Sequence, residues 1–195
     1  MVDRVPATLL AALADLVKWL DATKMPSMII GGVAASVLGR PRLTQDVDAL
    51  AILPEGEWAD TVSTAARHGI LPRIESPLDF ARLSRVLLLR HVESGIDIDV
   101  TFGGLLFERE AIDNCKVHEI GGLRVRLPRV EDLLIMKAVA RRPKDLQDIE
   151  GLLAAHPEAD TATVRHWVSE FATAMSMSDM LDDFDKLVAR SKSRP

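Results

Sequence analysis

The chain has 195 residues, a length that suits one domain or a catalytic domain with a small helical appendage. Apolar residues make up 48% and charged residues 27%, enough to bury a core, so the composition excludes a disordered chain. With 24 Lys and Arg against 29 Asp and Glu the net charge is −5, which argues against a general nucleic-acid binder, because phosphate contacts supply most non-specific affinity.

Leu9, Leu10, Leu13, Leu16, Val17 and Leu20 recur at helical spacing, with Asp15, Lys18 and Asp21 between them, and predict an amphipathic helix over 8–22 that Pro26 stops. Met28, Ile29 and Ile30 read as a short buried strand running into Gly31-Gly32, with a small apolar helix over 33–38 starting from the glycines. A polar loop over 39–45 (GRPRLTQ) leads into a strand over 46–52, whose alternation puts Asp46, Asp48 and Leu50 on one side and Val47 and Ala49 on the other. A helix over 55–68 follows, then a loop holding Pro72 and Pro77. Strands over 86–91 and 96–102 join at a turn around Glu93-Ser94-Gly95, a helix covers 105–112, and 116–127 form a hairpin turning at Gly121-Gly122. From Pro128 onward the pattern is helical, over 131–140, 144–155, 161–174 and 178–189, with a basic, frayed tail over 190–195. The class is α+β (α/β by looser usage): a mixed β-sheet flanked by helices, with a helical C-terminal part. The expected division is a core over 1–127 and helices over 128–195 packed on it as one compact unit.

The chemistry is concentrated in residues 31–50 (GGVAASVLGRPRLTQDVDAL). Glycine lets backbone N–H groups approach phosphate oxygens with no Cβ in the way, and a helix N-terminus favours anions there. Asp46 and Asp48, two apart on a strand, project from one face, and hard carboxylate oxygens at that spacing can share Mg²⁺ ions that also bind a triphosphate. A two-metal site needs a third acidic group, and residues 95–102 (GIDIDVTF) supply Asp97 and Asp99 on one face of a later strand. Strand alternation does not separate these two. Carboxylates gathered without a cation repel one another, so the pattern suggests a cation site.

Gly31-Gly32, then Arg42-x-Thr44-x-Asp46-x-Asp48, then Asp99 on a later strand resemble the polymerase-β-type nucleotidyltransferase superfamily. Within it, Pro128, Glu131-Asp132-Leu133, Lys137 and Lys144-Asp145-x-x-Asp148 are similar to the helical signature of small bacterial AbiEii/MenT-like nucleotidyltransferases, a group that includes toxins of toxin–antitoxin pairs. The likeness runs over roughly residues 27–155. It implies transfer of NMP from an NTP such as ATP to an acceptor hydroxyl, with release of pyrophosphate and two Mg²⁺ or Mn²⁺ ions as cofactors. Asp46, Asp48 and Asp99 are then metal ligands, with Asp99 preferred over Asp97 as third ligand and base because an apolar pattern follows it. Gly31, Gly32, Ser36, Arg42, Thr44 and Lys137 become the nucleotide-binding set. Asp97, Lys144, Asp145 and Asp148 are supporting residues. The superfamily often carries Gly-Ser where this chain has Gly31-Gly32, which moves the hydroxyl contact to phosphate, with Thr44 a candidate. The narrower group implies a tRNA 3′ end as acceptor and a cognate antitoxin as partner. The alternatives are a small-molecule (antibiotic-type) or protein hydroxyl as acceptor, or a non-catalytic interaction module that keeps the fold.

A tRNA acceptor calls for a basic strip, which Arg40, Arg42, Arg141, Arg142 and Lys144 make only if the fold gathers them. Aromatic residues are 4% with no Tyr, too few for a base-stacking platform. The single Cys115 excludes an intramolecular disulfide and a multi-cysteine zinc site, and the five histidines lack metal-ligand spacing. No apolar run approaches the ~20 residues that cross a bilayer. Asp15 and Lys18 interrupt the N-terminal apolar stretch, so no signal peptide is read, and a cytoplasmic protein without a membrane partner is expected.

Overall fold

Aspartate alternating with apolar residues builds the two strands that position the site. The structure, a computed structural model, describes residues 6–193. In β2 (Asp46–Ala51) Val47 and Ala49 are fully buried while Asp46 and Asp48 are half-exposed. In β5 (Asp97–Phe102) Ile98, Val100 and Phe102 face the core, and Asp97, Asp99 and Thr101 face the other way. The period of two turns each strand into a one-sided wall, apolar behind and acidic in front.

Among the described residues a five-stranded sheet runs in the order β1-β2-β5-β4-β3, with β1 at Ser27–Ile30, β4 at Val86–His91 and β3 at Ile70–Pro72. The β2–β5 pair is parallel and the other three are antiparallel, so the sheet is mixed. A second sheet is the hairpin of β6 (Lys116–Ile120) and β7 (Leu123–Leu127), turned by Gly121 and Gly122, both at positive φ. Helix α1 (Ala7–Ala22) buries Leu9, Leu13, Leu16 and Leu20 of the predicted stripe and Trp19 beside them, while Leu10 and Val17 are half-buried. Its Trp19 Nε1 donates to Thr64 Oγ1 on α3 (Trp58–Ala65) at 2.9 Å. At the start of α3, Trp58 stacks on Phe102 of β5 with ring centroids 4.3 Å apart, and the Arg85 guanidinium lies 5.2 Å from the Trp58 ring. α5 (Leu106–Asp113) follows β5.

Two elements have no counterpart in the sequence reading. The loop expected around Pro72 and Pro77 contains edge strand β3 and helix α4 (Pro77–Ser84). Pro72 ends an edge strand, where a missing N–H is tolerated, and Pro77 sits in the first turn of α4, where that N–H has no intrahelical partner. Leu83 of α4 is 90% exposed, so the helix shows no apolar stripe. The helix predicted over 55–68 is α3 with a 3₁₀ turn at each end.

The C-terminal helices are α6 (Val130–Ala140), α7 (Pro143–Ala155), α8 (Thr161–Ala174) and α9 (Asp179–Lys192). Asp160 caps α8, its carboxylate accepting from the N–H groups of Ala162 and Thr163 at 3.1 and 3.0 Å. The expected fraying over 190–195 is replaced by helix as far as Lys192, and residues 194–195 lie outside those described. By internal contacts the chain divides into two compact units, Met1–Val33 with Leu43–Leu127, and Ala34–Arg42 with Pro128–Pro195. The second unit begins at Pro128, and it also takes in residues 34–42, the latter part of α2 (Gly31–Leu38) and the loop beyond. Packing and polar contacts both join these residues to the helices: Gly39 lies close against the α7 backbone at Gly151 and Leu152, His156 Nε2 meets the Leu38 carbonyl at 2.7 Å, and Arg42 reaches Asp148 on α7. No helix among the described residues is long and apolar enough to cross a membrane.

Trp58 is 1% exposed and braces the end of β5 that follows Asp99. Trp58→Ala is expected to lower stability by about 3–5 kcal/mol, the range for emptying a buried aromatic site, read from the midpoint of urea unfolding.

Candidate active site

The parallel pairing of β2 with β5 sets Asp46 beside Asp97 and Asp48 beside Asp99. Four carboxylates therefore share one face of two neighbouring strands. A slip of one residue would send one pair into the core, so the burial of Val47, Ala49, Ile98 and Val100 also holds the carboxylates in register. Asp99 pays for this placement. Burial pushes its carboxyl above the usual range, the Arg73 charge lowers it, and the charges of Asp48, Asp46 and Asp97 raise it again, leaving it raised.

Arg73 extends from just beyond β3, with its backbone N–H donating to the Leu88 carbonyl of β4 at 3.1 Å. Its guanidinium forks over β5, Nη1 donating to Asp97 Oδ2 and Nη2 to Asp99 Oδ1, both at 2.5 Å. Asp97 has a second cation, because Arg90 is its cross-strand neighbour on β4 and donates from Nε at 2.7 Å. The hydrogen bond from Arg90 is the first cause, with Arg73 adding to it against some desolvation, of an Asp97 carboxyl held below its usual range. The two β5 aspartates, alike in the sequence, are thus unlike in surroundings: Asp97 sits between two arginines, and Asp99 lies deeper, opposite Asp48.

Strand β1 runs antiparallel to β2, so its last residue, Ile30, pairs with Asp48 and Gly31 stands beside that carboxylate. Gly31 has φ +63°, and a Cβ there would overlap Asp48 Oδ2. Both the left-handed turn and the close approach require glycine. Buried Gly32 follows in the first turn of α2, so the helix starts within a residue of the acidic face. Thr44, 8% exposed, donates from Oγ1 to Asp46 Oδ1 at 3.0 Å and fixes that carboxylate just before the strand begins.

The remaining expected site residues belong to the helical unit. Ser36 Oγ donates to the Arg42 carbonyl at 3.1 Å and steadies the loop after α2. Arg42 grips Asp148 through Nε at 2.8 Å and Nη2 at 3.0 Å. Lys137 is 3% exposed, and its ammonium lies 2.8 Å from Asp148 and 2.9 Å from Asp145. Arg142 closes the chain of charges on Asp145, with Nε at 2.6 Å and its own N–H at 3.2 Å. Burial pushes Asp145 up, but the hydrogen bonds from Arg142 and Lys137 and both their charges outweigh it and hold the carboxyl below its ordinary 3.8. Lys144 is exposed in the first turn of α7. Lys137, Asp145 and Asp148 of the expected helical signature are therefore linked, with Arg42 and Arg142, as alternating charges, Arg42–Asp148–Lys137–Asp145–Arg142.

No protein-family model and no curated protein matches the chain significantly. Solved structures do match in three dimensions. The solution structure of the antibiotic-resistance factor ANT(2'')-Ia superposes with a TM-score of 0.61 at 17% identity, covering 88% of this chain and 95% of that one. ANT(2'')-Ia in complex with adenylyl-2''-tobramycin gives 0.59 at 18% identity, covering 87% and 99%. The lincomycin-bound lincosamide adenylyltransferase LnuA gives 0.52 at 14% identity, covering 76% and 96%. The fold is that of a nucleotidyltransferase.

In this nucleotidyltransferase fold the donor set is all hard carboxylate oxygen, which suits Mg²⁺ or Mn²⁺ over softer ions. Among the described residues no three Asp, Glu, His or Cys side chains converge as a ready cation cage. The β2–β5 register nevertheless sets Asp48 beside Asp99, with Asp46 on the same face two residues earlier, so three carboxylates share one face on which a cation would offset their charge. By donor chemistry and strand register the residues fit the ion. Arg73 and Arg90 are absent from the sequence reading. Arg73 lies in the stretch read as a loop, and the alternation of Arg90 with Leu88 on β4 was the signal open to view.

Gly31→Ala is expected to lower stability by roughly 1–2 kcal/mol from the left-handed φ alone, and further because Asp48 must move, while exposed Gly56→Ala, with open space at its Cβ, stays close to wild type in urea unfolding. Because Asp145 is depressed in the folded chain, its stabilisation is complete above the ordinary carboxylate value of 3.8 and is lost as pH falls through the lower folded value. The stability gap between wild type and Asp145→Asn, followed by denaturant unfolding, is therefore expected to stay constant near neutrality and to shrink only below about pH 4.

Proposed function

We propose that the protein is a metal-dependent nucleotidyltransferase, moving NMP from an NTP to an acceptor hydroxyl with release of pyrophosphate. The observation that carries this reading is the β2–β5 register, which sets Asp48 beside Asp99, with Asp46 on the same face and the Gly31 turn against Asp48. Asp46, Asp48 and Asp99 would hold the divalent ions, which supply charge neutralisation to the triphosphate and acidify the acceptor hydroxyl. The backbone N–H groups at Gly31 and Gly32 bind phosphate oxygens, and Thr44 keeps Asp46 turned to its ligand position. Asp99, which lies opposite Asp48 on the neighbouring strand, takes the hydroxyl proton as the acceptor oxygen bonds to the α-phosphorus and the bond to pyrophosphate breaks. Ser36, Arg42, Lys137, Asp145 and Asp148 are given structural roles within the helical unit, since a triphosphate contact by Lys137 would require it to leave two carboxylates.

The preferred acceptor is a small molecule, and a cationic one. Of the five residues that a basic strip for tRNA would need, Arg42 is held by Asp148, Arg142 by Asp145, and Arg141 by Asp179 and Asp183. On the sheet face, Arg73 and Arg90 are likewise committed to carboxylates. Structures of the same fold hold adenylyl-tobramycin and lincomycin, which agrees with this choice. The toxin reading, with a tRNA 3′ end as acceptor and an antitoxin partner, rests on the sequence likeness over residues 128–148.

Labelled NTPs with Mg²⁺, incubated with a panel of aminoglycosides and lincosamides and separately with total tRNA, test both. Label is expected in a small molecule, with Asp48→Ala reducing transfer about 10²-fold or more, the scale of one lost electrostatic contact to the transition state, and chelation abolishing it. Label in tRNA alone overturns the acceptor while keeping the chemistry. Equal background transfer by wild type and variant, with every NTP, leaves the non-catalytic interaction module.

A further inference from the structure

The proposed reaction leaves Arg73 without a task, although it bonds to two carboxylates of the acidic face. Its starting point is fixed, because its N–H is bonded to Leu88, and its side chain is only 21% exposed. One guanidinium spans two aspartates that lie two residues apart on β5. Asp97 has Arg90 as well, so Asp97 is an anchor that holds Arg73 whether or not Asp99 is bound. Asp99 also stands directly beside Asp48 in the β2–β5 register. A guanidinium does not lose its charge in proteins, so it leaves a carboxylate only by being displaced.

We propose that Arg73 is a built-in counter-cation, anchored on Asp97, that occupies Asp99 in the resting protein and competes with the divalent ion for the same oxygen lone pairs. This rests on the metal role given to Asp46, Asp48 and Asp99 under the proposed function. Metal entry then requires the guanidinium to turn off Asp99 while Asp97 keeps it at the rim, where an arriving triphosphate offers it new oxygen partners. Arg73 is thus a positioning residue that sets the metal concentration the site needs and makes metal and nucleotide bind more readily together than singly. A merely structural Arg73, tying β3 to β5, would stabilise the fold to the same degree with or without metal.

The full-length protein and its R73Q, R73K and D48N variants are titrated with Mn²⁺ by calorimetry, without nucleotide, and melted in chelator and in saturating Mn²⁺. R73Q is expected to bind Mn²⁺ roughly three- to tenfold more tightly than wild type, at or somewhat above the scale of one partly exposed ion pair. R73K keeps the charge but not the fork and is expected to fall between them, while D48N loses binding. In chelator R73Q is expected to melt below wild type, and Mn²⁺ to close that gap. Unchanged or weaker Mn²⁺ binding by R73Q, with binding still dependent on Asp48, overturns the role of Arg73 and leaves the proposed function standing. A melting gap that Mn²⁺ does not narrow does the same. No Mn²⁺ binding by wild type or R73Q sinks both. If R73Q does not fold, R73K decides: tighter binding than wild type supports the competition, and equal or weaker binding overturns it.

Discussion

Four carboxylates on one face of two adjacent strands repel one another, and much of the first unit is arranged around that repulsion. The parallel register of β2 and β5 creates it by placing Asp46 beside Asp97 and Asp48 beside Asp99. Core burial on the opposite face holds it in place, because strands carrying Val47, Ala49, Ile98 and Val100 cannot slip by one residue without exposing them. Arg73 and Arg90 relieve part of it from the β3–β4 side, and Thr44 binds one carboxylate from the β2 side. Gly31 then makes room for Asp48 at the end of β1. Tension of this kind is expected where a protein gathers charge to bind a cation.

The helical unit solves a different charge problem. Lys137 lies in an otherwise apolar turn of α6, and a buried ammonium without partners would be costly. Asp145 and Asp148, one helical turn apart on α7, both face it, and Arg42 and Arg142 complete the alternation of sign. Breaking one link leaves an uncompensated charge, so these residues depend on one another. That bears on function, because the same arginines are unavailable to form a basic strip.

Much of the fold was legible because its strands and helices follow simple periods. The alternation in DVDALA and DIDVTF, the apolar stripe of α1 and the glycine turn at Gly121-Gly122 each map onto an observed element. What escaped was the stretch around Pro72 and Pro77, where a three-residue edge strand is too short for a period and an exposed helix has no stripe. Arg73 escaped with it. Residues 34–42 read as a continuation of the core, yet they group with the helices through His156 and Asp148, partners more than a hundred residues away.

The sequence by itself determined which residues are acidic, which faces they occupy and that a glycine turn precedes them, because these depend only on local spacing and on what each side chain can do. It left Asp97 and Asp99 equivalent, since both sit on one face of one strand. Tertiary structure separated them, because pairing with β4 brings Arg90 to Asp97 alone, while pairing with β2 brings Asp48 to Asp99. It also decided that Arg42 and Lys137 are held by carboxylates, a fact written in distances that no spacing along the chain contains.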